Sequence, residues 1–256
     1  MIPIRDNIPT RSFPFVNYTL IALCSLVFLF QLQAGSESTI VEQYGMIPAR
    51  VMEPSREIEI VQQVLVRTPY GIEQQTISAT AEPSAVPPWL TLLTCIFLHG
   101  GWMHIIGNLW ILHIFGDNVE DRLGHFAYGC FYLFCGVMAS FAHLAFGPDS
   151  TIPTIGASGA IAGVMGAYFL FYPNAKVLSI VPIFFFIQMM VLPAPLFLGV
   201  WFALQLYQGA VSGIGEGGGV AWWAHVGGFV VGAAVAWFMK KIHIASPPVK
   251  ERIMTN

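Results

Sequence analysis

Four polar side chains in otherwise apolar surroundings have types and spacing suited to chemistry: Ser158, His225, His104 and Asn108. Serine is a weak nucleophile until a base within hydrogen-bond reach takes its proton, and histidine is the commonest such base. Ser158 lies in Gly156-Ala157-Ser158-Gly159, just after the breaker-rich stretch Pro148-Asp149-Ser150-Thr151-Ile152-Pro153, and heads an Ala/Gly-rich apolar run. This pattern predicts a helix with Ser158 at its N-terminus, where free backbone N–H groups and the positive end of the helix dipole suit a developing oxyanion. An N-cap serine has the same local signature, so a catalytic role requires a base that can reach it. His104 and Asn108 are spaced i, i+4. They share one helix face about 6 Å apart along the axis and can offer two donors to one acceptor.

The elements that must position these groups are set by composition. The chain is 55% hydrophobic and 10% charged, against roughly 25% charged residues in an ordinary soluble domain. That balance excludes a water-facing surface all round and points to a bilayer, which asks for runs of about 20 apolar residues. Apolar segments are read at 13–32, 102–115, 126–146, 158–172, 177–207 and 220–239. The fifth is interrupted by Pro182, Pro193 and Pro195 and can begin as an interfacial stretch. The expected fold is an all-α membrane protein, a six-helix bundle. It comprises an N-terminal tail (1–12), a first span (13–32), a long outer loop (33–88), a core (89–241) and a C-terminal tail (242–256). The tail before the first span is polar, so no cleavable signal peptide is expected.

Basic residues favour the cytoplasmic side of short loops. With the N-terminus inside, Arg5, Arg11, Arg122, Lys176, Lys240, Lys241, Lys250 and Arg252 are all cytoplasmic, and only Arg50, Arg56 and Arg67 remain outside in an acidic loop. Both tails are therefore expected in the cytoplasm, with the site opening to the outer side of a cell (inner) membrane. Within the outer loop, Glu57 to Ser78 alternates apolar and polar residues around Thr68-Pro69-Tyr70-Gly71, a pattern of a strand pair or of a disordered excursion. Cys24, Cys95, Cys130 and Cys135 fall in or beside apolar runs without a CxxC pattern and read as small apolar residues. The net charge of −3 and the lack of a basic tract give no sign of nucleic acid.

Even-numbered spans run from outside to inside in this topology, so His104, Asn108, Ser158 and His225 lie at one depth in the outer half of the membrane. Polar groups there are costly and usually line a bundle interior or wet cavity. The run from Ser158 to Tyr172 covers only about 22 Å as a helix, against a hydrocarbon core of roughly 30 Å. Its outer end must stop below the surface, with the preceding loop dipping inward. Gly159, Gly163 and Gly166 face the comparable spacing of Ala224, Gly228 and Gly232, and such small-residue faces let membrane helices approach backbone to backbone. That packing would bring the Ser158 hydroxyl to the His225 imidazole. No carboxylate is placed to complete a triad, since Glu216 is in a loop and Asp149 precedes the turn. The unit reads as a dyad.

Rival readings fit less well. A zinc site from His99, His104 and His113 has neither HExxH spacing nor an intervening acid, so no metal or cofactor is expected. The stretch from Gly156 to Ala160 mimics G-x-S-x-G of soluble hydrolases but lacks the final glycine and the preceding strand. A broken-helix transporter would show inverted halves of similar hydropathy, and none is seen.

The residues resemble the rhomboid intramembrane proteases from about Trp89 to Gly232. The resemblance rests on Phe97-Leu98-His99-Gly100-Gly101-Trp102-Met103-His104 with Asn108, on Glu120-Asp121-Arg122-Leu123-Gly124, on Gly156-Ala157-Ser158-Gly159 and on Ala224-His225-Val226-Gly227-Gly228. It implies a six-helix fold, a Ser158/His225 dyad, oxyanion contacts from His104 and Asn108, and substrates that are single-span membrane proteins with unstable helices near the cut. The chain departs from many members in having Trp89-Leu90 in place of Trp-Arg, and from some in having Ala162 where a tyrosine follows the serine by one turn. A catalytically silent relative that binds or escorts membrane proteins is the alternative, since fold alone does not imply chemistry.

Overall fold

A computed structural model describes residues 1–34, 37–68, 71–183, 186–211 and 221–242. The chain opens with strand β1 (Ile2–Asp6), followed by helices α1 (Phe15–Gln33), α2 (Glu37–Tyr44) and α3 (Pro48–Met52). An antiparallel pair, β2 (Glu59–Thr68) and β3 (Gly71–Thr80), comes next. Then come the short helical run Pro88–Phe97, which contains α4 (Thr91–Thr94), and the long helices α5 (Trp102–Leu123) and α6 (His125–Phe146). Helix α7 (Ser158–Phe171), the hairpin β4 (Lys176–Ile183) and β5 (Phe186–Pro193), α8 (Ala194–Val211) and α9 (Trp222–Lys241) complete the order.

Helices α1, α6, α8 and α9 are long and apolar enough to cross a membrane. The pair Pro88–Phe97 and α5, bent by 78°, makes a fifth crossing if taken as one span. Asp117, Glu120, Asp121 and Arg122 crowd the last two turns of α5, and α7 has only 14 residues. Among the described residues the protein is thus mostly helical with four to five candidate spans, which does not confirm the expected six helices, and its strands depart from an all-α fold.

Two departures from that expectation have physical causes. The apolar segment at 177–207 is not one helix: its first half is the hairpin β4–β5, and helix begins only at Ala194. The β-branched residues Val177, Ile180, Val181, Ile183, Ile187 and Val191 favour strands. Pro193 closes β5, and Pro195 falls in the first turn of α8, where its missing N–H costs nothing. The N-terminal residues are also not a plain tail, because β1 pairs antiparallel with β4 to give the sheet order β1-β4-β5. Trp110 Nε1 donates to the Pro3 carbonyl at 2.7 Å and Asn118 Nδ2 to Asp6 Oδ2 at 2.8 Å. Those two α5 residues are two turns apart, so β1 lies lengthwise along α5. In the long loop after α1, the alternating segment forms the pair β2–β3, while Pro69 and Tyr70 lie outside the described residues.

The end of α5 ties the helices together with buried charge. Helix α1 begins after Pro14 with no side-chain cap of its own. Glu120 caps it from α5, accepting the Val16 and Asn17 N–H groups at 3.0 and 2.7 Å and also meeting His125 Nδ1. Negative charge at a helix N-terminus satisfies orphan donors and complements the dipole. Asp121 accepts the Arg11 and Ser12 N–H groups, and the Arg122 guanidinium lies 4.8 Å from the centre of the Phe171 ring at the end of α7. Gly124, at φ +82°, turns the chain directly from α5 into α6.

Helix α7 is the centre of the bundle, buried along its length except at Ser158, Phe169 and Leu170. Its closest neighbour is α9. A Cβ built on Gly228 would lie 2.0 Å from the Gly159 carbonyl oxygen, and one on Gly232 2.0 Å from that of Gly163. On its other side α7 meets α6, where a Cβ on Gly159 would lie 2.6 Å from Ala139 Cβ and one on Gly163 2.5 Å from Cys135 Cβ. No side chain fits between backbones this close. Gly232→Ala is expected to destabilise the fold by roughly 1–3 kcal/mol or more through overpacking. Gly199→Ala, where a Cβ meets nothing within 4 Å, should leave the unfolding temperature in detergent unchanged or raised. Equal unfolding temperatures for the two variants would show that the α7–α9 contact tolerates separation.

Candidate active site

Ser158 opens α7 and His225 stands in the first turn of α9. The glycine contacts fix the distance between those two helix starts, and Ser158 Oγ lies 2.7 Å from His225 Nε2. Both residues are half-buried. The serine is the first helical residue of α7, following Ala157, so the unpaired N–H groups of the first turn surround it.

The other ring nitrogen has a partner that the sequence reading missed. Gln205 Oε1, from α8, lies 2.7 Å from His225 Nδ1. The Trp201 ring, one turn before Gln205, is centred 6.0 Å from the imidazole, and Trp222 lies 6.1 Å away at 86°. Ala162, where some members carry a tyrosine, packs against α9, 3.3 Å from where a Cβ on Gly228 would sit. The histidine is therefore held by an amide and flanked by two indoles. The signal for Gln205 was present: it is a lone amide within the apolar run from Val200 to Leu206, and polar groups in such runs are functional candidates by default. Asp149 is 93% exposed and 4.0 Å from Arg56, and Glu216 lies outside the described residues.

His104 and Asn108 approach from α5. His104 Nδ1 accepts the Gly100 N–H at 3.3 Å, which leaves Nε2 to carry the proton as a donor. Asn108 is buried, and its Nδ2 has no hydrogen-bond partner. Both groups converge on Gly156, two residues before the serine. A Cβ there would lie 2.7 Å from His104 Nε2 and 3.7 Å from Asn108 Nδ2. Gly156 also has φ +121°, so its backbone and its neighbours both require glycine. Two directed donors beside the serine N–H can hold an oxyanion.

The loop before Ser158 is clamped from outside the helices. The Gly156 N–H donates to the Cys95 carbonyl at 2.9 Å, Met46 and Thr154 exchange a pair of backbone hydrogen bonds at 3.1 and 2.8 Å, and the Ala49 N–H reaches the Ser150 carbonyl at 3.0 Å. The α2–α3 segment of the long loop thus lies against the Ser158 loop. Buried Arg50 fastens that segment, donating to the Glu42 and Glu82 carbonyls at 2.6 and 2.8 Å. Burial lowers the Arg50 pKa from its ordinary value, and Glu42 opposes this.

The three histidines of the zinc reading do not converge. His99 is fully buried with its ring 5.3 Å from that of His104, whereas His113 packs 6.0 Å from Tyr18. Among the described residues, no group of three or more His, Cys, Asp or Glu side chains could hold a metal ion.

Comparison with known proteins identifies the family of this mostly helical membrane protein. The Rhomboid domain family matches residues 87–242, and the chain belongs to the rhomboid family. It is 30% identical over 172 residues to Rhomboid-like protein 11, chloroplastic, of Arabidopsis thaliana, covering 62% of this chain and 56% of that protein. Identity to Rhomboid protein 1, mitochondrial, of Saccharomyces cerevisiae is 25% over 156 residues, 59% of this chain and 42% of the relative. Rhomboid protease GluP of Bacillus subtilis is 36% identical over 98 residues, 38% of this chain and 18% of the relative. The chain spans about half or less of the length of these relatives.

Gly156→Ala puts a side chain on a positive-φ backbone and against the His104 ring, so it is expected to lower the unfolding temperature and, for a site that cleaves peptide bonds, to reduce turnover by about 100-fold, the cost of an ångström-scale misplacement of reacting groups. Turnover of a reconstituted model substrate, read beside the unfolding temperature, checks this. Parental turnover would remove Gly156 from the site.

Proposed function

We propose that this chain is an intramembrane serine endopeptidase that cuts membrane proteins carrying a transmembrane helix, in or near the bilayer. The observation that carries the reading is the 2.7 Å contact between Ser158 Oγ and His225 Nε2 at the head of α7. His225 takes the serine proton as Oγ attacks the scissile carbonyl, and the resulting oxyanion is held by the Ser158 N–H, His104 Nε2 and Asn108 Nδ2. His225 returns the proton to the leaving amine. Water then attacks the acyl-serine, with the same imidazole as base and the same donors on the oxyanion. Beside the serine, a pocket is lined by Cys95, Ile96, Ala139, Ser140, Ile155 and Ala224 among others, and its narrow space suits a small side chain at the cut.

In this reading the protein has six spans. The bent pair ending in α5 counts as one, and short α7 as another. Both termini face the cytoplasm, the site opens to the outer side of a cell membrane, and the lipid bilayer is the remaining partner. A name such as protease, borne by the Bacillus subtilis relative, is consistent with it.

The test is reaction of the purified protein with a fluorophosphonate probe. The parent should be labelled at Ser158, and Ser158→Ala should lose both labelling and at least about 100-fold of its cleavage rate while unfolding at nearly the same temperature. An unlabelled parent would leave a binding or escort role instead. His104→Ala and Asn108→Ala should each lower kcat by roughly 10- to 1000-fold, as loss of one oxyanion donor does. Full turnover in both would refute the oxyanion assignment.

A further inference from the structure

The side of His225 turned away from the serine is met by Gln205, whose Oε1 is 2.7 Å from Nδ1 and whose side chain is buried. Among the described residues this is the only side-chain hydrogen bond that α8 makes with another element. A neutral imidazole has one donor and one acceptor nitrogen. If Nδ1 carries the proton, Nε2 presents a lone pair to the Ser158 hydroxyl and can accept its proton. In the other tautomer Nε2 donates to Oγ, and the base is lost.

We propose that Gln205 is a positioning residue for the reaction inferred above: its amide oxygen accepts the Nδ1 proton of His225 and so selects the tautomer that can deprotonate Ser158. The inference rests on the serine protease reading and names what completes the unit where no carboxylate is present. An amide differs from a carboxylate in one respect that matters here. It orients the ring but brings no negative charge to the imidazolium that forms during the reaction. The dyad is therefore a Ser-His-Gln relay in geometry, with the amide in the place that an asparagine takes in papain-like proteases. The same hydrogen bond satisfies an amide oxygen that would otherwise be buried without a partner in an apolar helix. A role limited to joining α8 to α9 would predict a loss of stability alone.

The experiment separates these roles with two variants and two readouts. The titratable groups facing His225 are His104 from α5 and His143 from α6, and α7 and α8 carry no Asp, Glu, Lys, Arg or His. A carboxylate at 205 would thus be a new charge beside the ring. Gln205→Leu should lower kcat by roughly 10- to 100-fold, part of what a general base contributes, with KM within about twofold of the parent. Gln205→Glu keeps the acceptor and favours imidazolium. It should recover kcat at high pH while moving the midpoint of kcat against pH upward by about 1 unit or more. Parental kcat in folded Gln205→Leu, or loss of kcat at every pH in Gln205→Glu, would overturn the proposal. Should Gln205→Leu fail to fold, the tautomer of His225 decides.

A readout without catalysis keeps the two inferences distinct. In the inactive Ser158→Ala protein, nitrogen-15 shifts of neutral His225 should show Nδ1 protonated and Nε2 bare. The reverse tautomer overturns the role of Gln205 whether or not the parent is labelled by a fluorophosphonate, and failed labelling with the expected tautomer counts only against the protease reading.

Discussion

The distance between two backbones governs the rest of this molecule. Where Gly228 and Gly232 of α9 lie against the Gly159 and Gly163 carbonyls of α7, Cα–H groups face carbonyl oxygens with no side chain between them. Ser158 precedes the first of those contacts by one residue on α7, and His225 precedes its partner by three on α9. A helix pair spaced by ordinary side chains sits 8–10 Å apart between axes, and a serine and a histidine on such helices would be hard to bring within direct contact. The glycine seam is thus a geometric condition for the hydroxyl–imidazole contact. It also explains why α7 is so apolar: a helix surrounded on every side has no face left for polar residues.

Helix ends in this bundle are satisfied from other elements, as where Lys240 of α9 donates to the Leu170 carbonyl near the end of α7. Glu120 does for α1 what an N-cap side chain does elsewhere, and Asp121 holds the chain that leads into α1. Arg50 does the converse for carbonyls in the long loop after α1. Each of these charged groups is paired with backbone more than with another charge. Backbone atoms cannot move away from their partners without unfolding an element, so such bonds constrain geometry more strongly than exposed ion pairs do. The loop that carries Gly156 is held between two such anchored regions, one inside the bundle at Cys95 and one outside at Met46. That double restraint keeps an irregular backbone beside the serine in one conformation.

How much of this could be read from the chain depends on the range of the interaction. Ser158 at a helix start, the i, i+4 pair His104 and Asn108, and the small-residue spacing on α7 and α9 are local patterns, and local patterns are legible. The family motifs were legible for the same reason. The hairpin β4–β5 was hidden because a run of Val, Ile, Phe and Met reads equally as buried helix or strand, and only pairing with β1, some 170 residues away, selects the strand. Arg50 looked like a stray positive charge in an acidic loop, since its partners are carbonyls that no sequence pattern marks. Gln205 was passed over within an apolar segment, although an amide at that depth is as exceptional as a histidine.

The position of Gln205 also clarifies what a membrane setting does to serine chemistry. A buried carboxylate needs an unusually complete set of donors to stay charged, and the surroundings of His225 offer mainly two indoles, glycines and alanines, with His104 and His143 as the titratable groups facing it. An amide supplies the same acceptor oxygen without a net charge to desolvate. In the proposed reaction the oxyanion side follows the same economy of charge, drawing on donors from His104, Asn108 and the serine N–H. On that reading every group set around Ser158 rests neutral. Charge appears only as the proton moves, and it appears between dipoles already fixed by α5, α7 and α8, which is the arrangement that stabilises a transition state without reorganisation.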